Sequence, residues 1–263
     1  MTDEREPTEV SRRDAGIERS SSRDPQAQSP GSSVSAGPDE PGTVRESLRE
    51  LNSILSSARH DINNQLTILN GYLTLLESPP PSLQTGDIIR ILQGATQKIE
   101  QILRFTREYQ GIGEKPPSWQ PLGETICRTV KGMNTGAVRV VTDPSCDTVD
   151  VYADARLGGA FAELIDNSVR HGGSTVSEVR IGCSAGSSGL RITLADNGAG
   201  IPGRIRPVLF EHSKGKNAGY GLFLAGRILA VTGIAIAEKG NPGSGAYFEM
   251  TVPLSSFRIT GGK

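Results

Sequence analysis

The sequence predicts an α+β chain: an antiparallel helical hairpin that forms a dimeric four-helix bundle, followed by an α/β sandwich. Three observations predict it. Apolar or small residues recur at alternating steps of three and four from Leu48 to Tyr109. Consecutive prolines, Pro79 to Pro81, interrupt that pattern once. After Pro116-Pro117 the texture changes to short alternating runs and helix-length segments separated by glycine turns.

Residues 1–43 come first, with no aromatic residue and a wealth of Ser, Pro, Gly, Arg, Asp and Glu. Too little apolar surface is present there to offset the entropy of ordering, so a disordered tail is expected. From residue 44 the hairpin begins. Leu48, Leu51, Leu55, Ala58, Ile62, Leu66, Leu69, Leu73 and Leu76 form a heptad seam with one extra four-residue step beside His60. The prolines end this helix by removing donors and forbidding the preceding helical turn. Ile88, Leu92, Ala95, Ile99, Ile102, Thr106 and Tyr109 make the second seam. One hairpin buries two seams poorly, so a homodimer over residues 44–110 is expected.

Gly111-Ile112-Gly113 and Pro116-Pro117 read as a linker to a domain spanning 118–257. Helices are expected over 121–132, 155–171 and 220–231. Strands are expected at 138–141, 149–152, 177–185, 189–195, 234–238 and 246–252, with helices on one sheet face.

Whole-chain numbers narrow the function. The net charge of −1 over 263 residues argues against a polyanion-binding surface, and 5% aromatics are too few for a stacking platform on nucleic acid. Cys127, Cys146 and Cys183 contain no CxxC pair, which argues against zinc and a disulfide framework and for a reducing, cytoplasmic setting. No apolar run approaches the roughly 18–20 residues of a membrane span.

Four blocks carry the chemistry. His60-Asp61-Ile62-Asn63-Asn64 lies on the first helix. His60 is two positions from both Ala58 and Ile62, so at about 100° per residue it points away from the seam. Asp61 can hold the proton of one imidazole nitrogen and leave the other nucleophilic. Asn64, one turn on, can position a water or a carboxylate in the reverse or hydrolytic chemistry. Glu163 and Asn167 share a helix face, with Arg170 and His171 one turn further. Asn167 offers an amide oxygen to Mg²⁺, Glu163 a group to orient or deprotonate the attacker, and the two cations phosphate contacts. Asp196, at a strand end before Gly198 and Gly200, can accept from an adenine amino group. Gly219, Gly221 and Leu222 open a helix whose free amides would cradle phosphates, with Lys214 and Lys216 as cations of a lid. Each block alone also reads as an ordinary surface helix, a polar stripe or a glycine turn. Their order and spacing together describe an ATP pocket preceded by an acceptor histidine.

With those residues in place, the chain resembles the kinase core of a two-component sensor histidine kinase over roughly residues 45–254, in a compact archaeal-type form. His60 to Asn64 resembles the H-box, which implies that His60 is the phosphorylated residue, Asp61 its acid/base partner and Asn64 the phosphatase-related position. Glu163 to Asn167, with Arg170 and His171, resembles the N-box. Asp196, Gly198 and Gly200 match the G1 box, Leu209-Phe210-Glu211 the F-box, and Gly219, Gly221 and Leu222 the G2 box. Gly243 and Gly245 fall where a later glycine motif occurs. The resemblance implies the Bergerat ATP-binding fold, ATP and Mg²⁺, and transfer of phosphate from His60 to a response-regulator aspartate. Two features depart from the family's usual pattern: Asp61 stands where Glu is commoner, and Glu163 where many members have Asn. No sensor domain is expected, so a separate sensory partner or the tail would bring the signal. Two other readings stay open here: a non-catalytic phosphotransfer adaptor, and a serine kinase of the anti-sigma type or a pure ATPase.

Overall fold

The structure, a computed structural model, describes residues 41–77, 80, 83–212 and 219–261, and for residues 41–48 the backbone only. Residues 1–40 of the tail expected over 1–43, and the lid cations Lys214 and Lys216, lie outside the described residues, and residues 41–43 belong to the first helix instead. Helix α1 spans Pro41–Glu77 and α2 spans Thr85–Gln110. They pack as the hairpin that the two seams predict.

The seams capture only part of the packing. The most buried hairpin residues include Ile54, 2% exposed, and Phe105, 3% exposed, and neither lies on the strict heptad. Both join a core shared with the second domain, together with Ala58 and Ile102. The hairpin therefore uses a further face, beside its seam, to hold the domain that follows. Ring stacking reinforces that joint. Phe105 stands 4.3 Å from Tyr220, and Tyr109 stands 5.8 Å from Phe223.

Between the two units, Gly113 takes φ +70°, which glycine adopts without strain. Its N–H donates to Asp154 Oδ2 at 2.9 Å. Asp154 is 1% exposed, and its other oxygen accepts from the Arg156 N–H at 2.8 Å. Arg156 in turn pairs with Glu108 at the end of α2. The linker read from its glycines and prolines is thus anchored at both sides.

The second domain contains β1 (Ser118–Pro121), α3 (Leu122–Lys131), β2 (Arg139–Thr142) and β3 (Val149–Ala153). It continues with α4 (Leu157–His171), β4 (Glu178–Gly186), β5 (Gly189–Asp196) and α5 (Tyr220–Ala230). It closes with β6 (Ala235–Glu238), β7 (Tyr247–Val252) and β8 (Phe257–Ile259). Five strands form the main sheet in the order β2-β4-β5-β7-β6. Only β2 and β4 are parallel neighbours within it.

Alternation along these strands builds two unlike faces. Ile181, Leu194 and Phe248 stand in register and are at most 1% exposed. The other face carries Arg180, Arg191 and Glu249, with Lys239 Nζ 2.6 Å from Glu249 Oε1. α3, α4 and α5 pack against one another and supply much of the core around that apolar face. A small antiparallel sheet, β1-β3-β8, flanks the domain. Its strands β1 and β8 were not among the expected ones. They are four and three residues long, too short for a period of two to register, and β1 ends on Pro121. Among the described residues, no helix is long and apolar enough to cross a membrane.

Candidate functional site

The site is assembled around the carboxylate at the end of β5. Asp196 is 8% exposed and accepts hydrogen bonds from three donors. The Gly198 and Ala246 N–H groups reach Oδ1 at 2.9 and 3.0 Å, and the Ser168 hydroxyl reaches Oδ2 at 2.6 Å. Three donors fix its direction and still leave an ionised carboxylate a lone pair for a ligand.

Glycines permit this convergence. A Cβ on Gly198 would stand 2.3 Å from the Gly172 carbonyl oxygen, so the turn after β5 can touch the end of α4 only as glycine. Gly245, at φ +88°, would put a Cβ 1.8 Å from the Asp196 carbonyl oxygen. Gly200 adopts φ +71° and lies close to the Asn241 and Gly245 carbonyls.

A cavity of about 400 Å³ opens beside these turns. Glu163, Asn167, Arg170 and His171 line it from α4, and Asp196 and Gly200 from β5 and its turn. Gly219, Gly221 and Leu222 line it at the start of α5. Nine of the sequence-predicted site residues therefore meet in one cavity. Gly198 does not line it and instead donates to Asp196 and packs on Gly172. The F-box residues Leu209 and Glu211 line the cavity too, while Phe210 turns inward, edge-on to Phe248 at 6.2 Å. Arg206 tethers this segment to β6, with Nε 2.6 Å from Glu238 Oε2.

Electrostatics distinguish the two carboxyls on α4. Burial raises the Glu163 carboxyl above its ordinary value. Asp166 adds to the rise, and Arg104 and Arg170 oppose it. Asp166 lies against Arg170, whose Nε is 2.8 Å from Oδ1. A Cβ on Gly221 would come within 2.2 Å of Glu163 Oε2, so glycine there lets the helix start close on the carboxylate.

His60, Asp61 and Asn64 lie outside the cavity on α1. His60 is exposed, with 73% of its side chain accessible. Its Nδ1 is 3.4 Å from Asp61 Oδ1 and 3.2 Å from Asn64 Nδ2. The hairpin and the cavity are linked by Tyr220, whose hydroxyl donates to Asp61 Oδ2 at 2.5 Å. The hairpin also contributes Gln101 to the cavity wall, held by Lys98 at 3.2 Å.

Sequence reasoning missed Ser168, Asp166, Gln101 and the bridging role of Tyr220. Ser168 carries no local signal, because its partner Asp196 is 28 residues away, and Gln101 none, because the cavity it lines is built by the other domain. Tyr220 had one: a hydroxyl-bearing ring between two glycines at a helix start.

The cavity also fits the groups that the motifs imply. The close glycine contacts above bring β5, α4 and α5 together around it, and polar groups from α4 and β5 line it. Among the described residues, no cluster of three or more His, Cys, Asp or Glu forms a metal cage. Asn167 would be the protein's oxygen donor to a cation held mainly by phosphates and water.

Residues 153–256 match the family described as histidine kinase-, DNA gyrase B-, and HSP90-like ATPase. The sensor-type histidine kinase PrrB of Mycobacterium tuberculosis is 26% identical over 230 residues, covering 82% of this chain and 50% of that protein. Two solved structures share the fold. The histidine kinase ThkA, in complex with the response regulator TrrA, aligns with TM-score 0.61 at 17% identity, over 80% of this chain and 63% of that one. Acinetobacter baumannii AdeS aligns with TM-score 0.55 at 17% identity, over 75% of this chain and 98% of that one. The α/β domain is thus a member of this ATPase family. With its histidine-bearing hairpin, the chain as a whole is similar to the cores of sensor histidine kinases. It spans about half the length of the PrrB relatives it matches.

Proposed function

We propose that the chain is an ATP-dependent protein-histidine kinase that phosphorylates His60 and passes the phosphoryl group to a response-regulator aspartate. One observation carries this reading: an exposed imidazole stands on the helix that is hydrogen-bonded, through Asp61 and Tyr220, to the glycine turn of the cavity. We read residues 44–110 as the dimerising and acceptor unit, residues 118–257 as the ATP-binding unit, and the setting as cytoplasmic.

Both neighbours of the imidazole engage Nδ1, so Nε2 is the nitrogen available to phosphate. Its lone pair attacks the γ-phosphorus of ATP. The bond from that phosphorus to the β–γ bridging oxygen breaks, and ADP departs with the electron pair. The proton stays on Nδ1, shared with Asp61, which stabilises the cation as it forms. Asp196 accepts from the adenine amino group. Amides at Gly219 and Gly221, at the head of α5, face the phosphates. Arg170 adds positive charge, as Lys214 and Lys216 would from the lid, and His171 offers a phosphate contact. Mg²⁺, held through Asn167, would neutralise phosphate charge. Glu163, its carboxyl raised by burial, orients the reacting groups and takes up a proton more readily than an exposed glutamate.

The partner is a receiver domain with an acceptor aspartate, a reading supported by the ThkA complex with its regulator. A homodimer is supported by Leu66 and Leu73, seam residues that remain 43% and 50% exposed in one chain.

Incubation with γ-labelled ATP tests the reading. Acid-labile label is expected on the wild type and none on His60→Gln, while calorimetry shows nucleotide bound equally by both. Acid-stable label on His60→Gln would favour a serine kinase, and no nucleotide binding at all would favour an adaptor.

A further inference from the structure

Tyr220 opens α5 between Gly219 and Gly221, both of which line the cavity. Its side chain is 4% exposed and stacks on Phe105 of the hairpin. The hydroxyl donates to Asp61 Oδ2 at 2.5 Å, and the other oxygen of that carboxylate is 3.4 Å from His60 Nδ1. Tyrosine, aspartate and histidine so form one chain from the phosphate turn to the acceptor ring.

His60 Nδ1 has two neighbours with opposite demands. Asp61 only accepts, so it requires the proton on Nδ1, which leaves a lone pair on Nε2. Asn64 presents its amide nitrogen to the same atom at 3.2 Å. As a donor, it requires a bare Nδ1 and drives the proton to Nε2. Only the first tautomer is a nucleophile at the exposed nitrogen. A carboxylate with 38% of its side chain accessible would by itself turn freely and share its oxygens with water. The buried hydroxyl pins one oxygen and so aims the other at the imidazole. Burial, then the bond to Asp61, raises the Tyr220 phenol above its ordinary value, so it stays a donor at physiological pH.

We propose that Tyr220 is a positioning residue for phosphoryl transfer: through Asp61 it selects the Nδ1–H tautomer of His60 over the one that Asn64 favours. The proposal rests on the kinase reading of His60. The bonds made and broken are those given above, and Tyr220 changes only which nitrogen holds the proton when the lone pair attacks.

Tyr220→Phe tests it, because the ring that packs on Phe105 is kept. The ¹⁵N imidazole resonances of the full chain are recorded in mildly alkaline buffer, with His60→Gln identifying the His60 signals. The wild type is expected to be mainly Nδ1–H and Tyr220→Phe mainly Nε2–H. Autophosphorylation of the variant is expected to fall about tenfold, with nucleotide affinity within about twofold of the wild type. In an Asp61→Asn background the same substitution should change neither readout further. An unchanged tautomer, equal slowing in both backgrounds, or a faster variant would overturn the proposal. If the tautomer shifts but the wild type carries no acid-labile label, the kinase reading fails and the coupling of Tyr220 to His60 stands.

Discussion

The hairpin and the ATP-binding domain finish their cores differently. In the domain, Phe161, Leu164, Ile165 and Phe248 are all 0% exposed. On the hairpin, Leu66, Leu73 and Leu103 are 43%, 50% and 51% exposed. The cause is the number of surfaces that each must cover. α4 has helices on either side and a sheet beneath, whereas the hairpin meets the domain over part of its length, from Ile54 to Ile62 on α1 and from Gln101 to Tyr109 on α2. Toward the proline turn, Ile88 of the second seam is buried, whereas Leu66 and Leu73 of the first stay exposed. The domain closes its own core, and the hairpin leaves apolar surface open.

The contrast breaks most visibly at Phe161. Truncation to alanine removes a fully buried ring from the core around α4, and about 3–5 kcal/mol of stability should go with it. Urea denaturation of Phe161→Ala should show the domain transition moved to much lower denaturant, with the loss independent of protein concentration. A loss below about 1 kcal/mol would mean that this core is not closed as described.

Leu66→Ala with Leu73→Ala sharpens the same contrast from the other side. In an isolated chain, exposed leucines contribute little, and the pair should cost less than about 1 kcal/mol. Where a second copy covers them, each contributes about 1.5–3 kcal/mol of burial. Sedimentation equilibrium should then show the dissociation constant rising by about tenfold or more per leucine. A double variant that associates as tightly as the wild type would place the dimer contact elsewhere.

What the sequence disclosed follows the same division. Elements with a long period were legible: the two seams, α4 and α5, and the paired strands β4 and β5 around their glycine turn. The cavity was legible where its chemistry is local, as in Glu163 with Asn167 on one helix face or Gly219 with Gly221 in one turn. Contacts made by folding alone were not. Ser168 reaches Asp196 across 28 residues, and Tyr220 reaches Asp61 across 159. Ile54 and Phe105 fell off the heptad because they also join the core shared with the second domain. A periodic pattern records one neighbour, and these residues have two.

Glu163 gives the smallest predicted effect on stability, and it tests whether the two regions are electrostatically joined. Burial raises its carboxyl, Asp166 adds to the rise, and Arg104, from α2 of the hairpin, is the first of the cations that oppose it. Because the native value lies above the ordinary one, the folded state binds more protons than the unfolded state between the two. Stability is thus fully present below the unfolded value and falls as pH rises through the folded value. Glu163→Gln should flatten that slope, so thermal melts over about pH 4 to 7 should converge at the acid end and leave the variant the more stable at the neutral end. Its autophosphorylation should fall by about a hundredfold, as expected for loss of a group that orients the reacting atoms. Arg104→Gln should steepen the wild-type slope instead, since the carboxyl loses an opposing cation and moves further up. Identical melts for Arg104→Gln and the wild type would show that the hairpin's charges do not reach the cavity, and that packing at Phe105 and Tyr220 joins the two regions without electrostatic help.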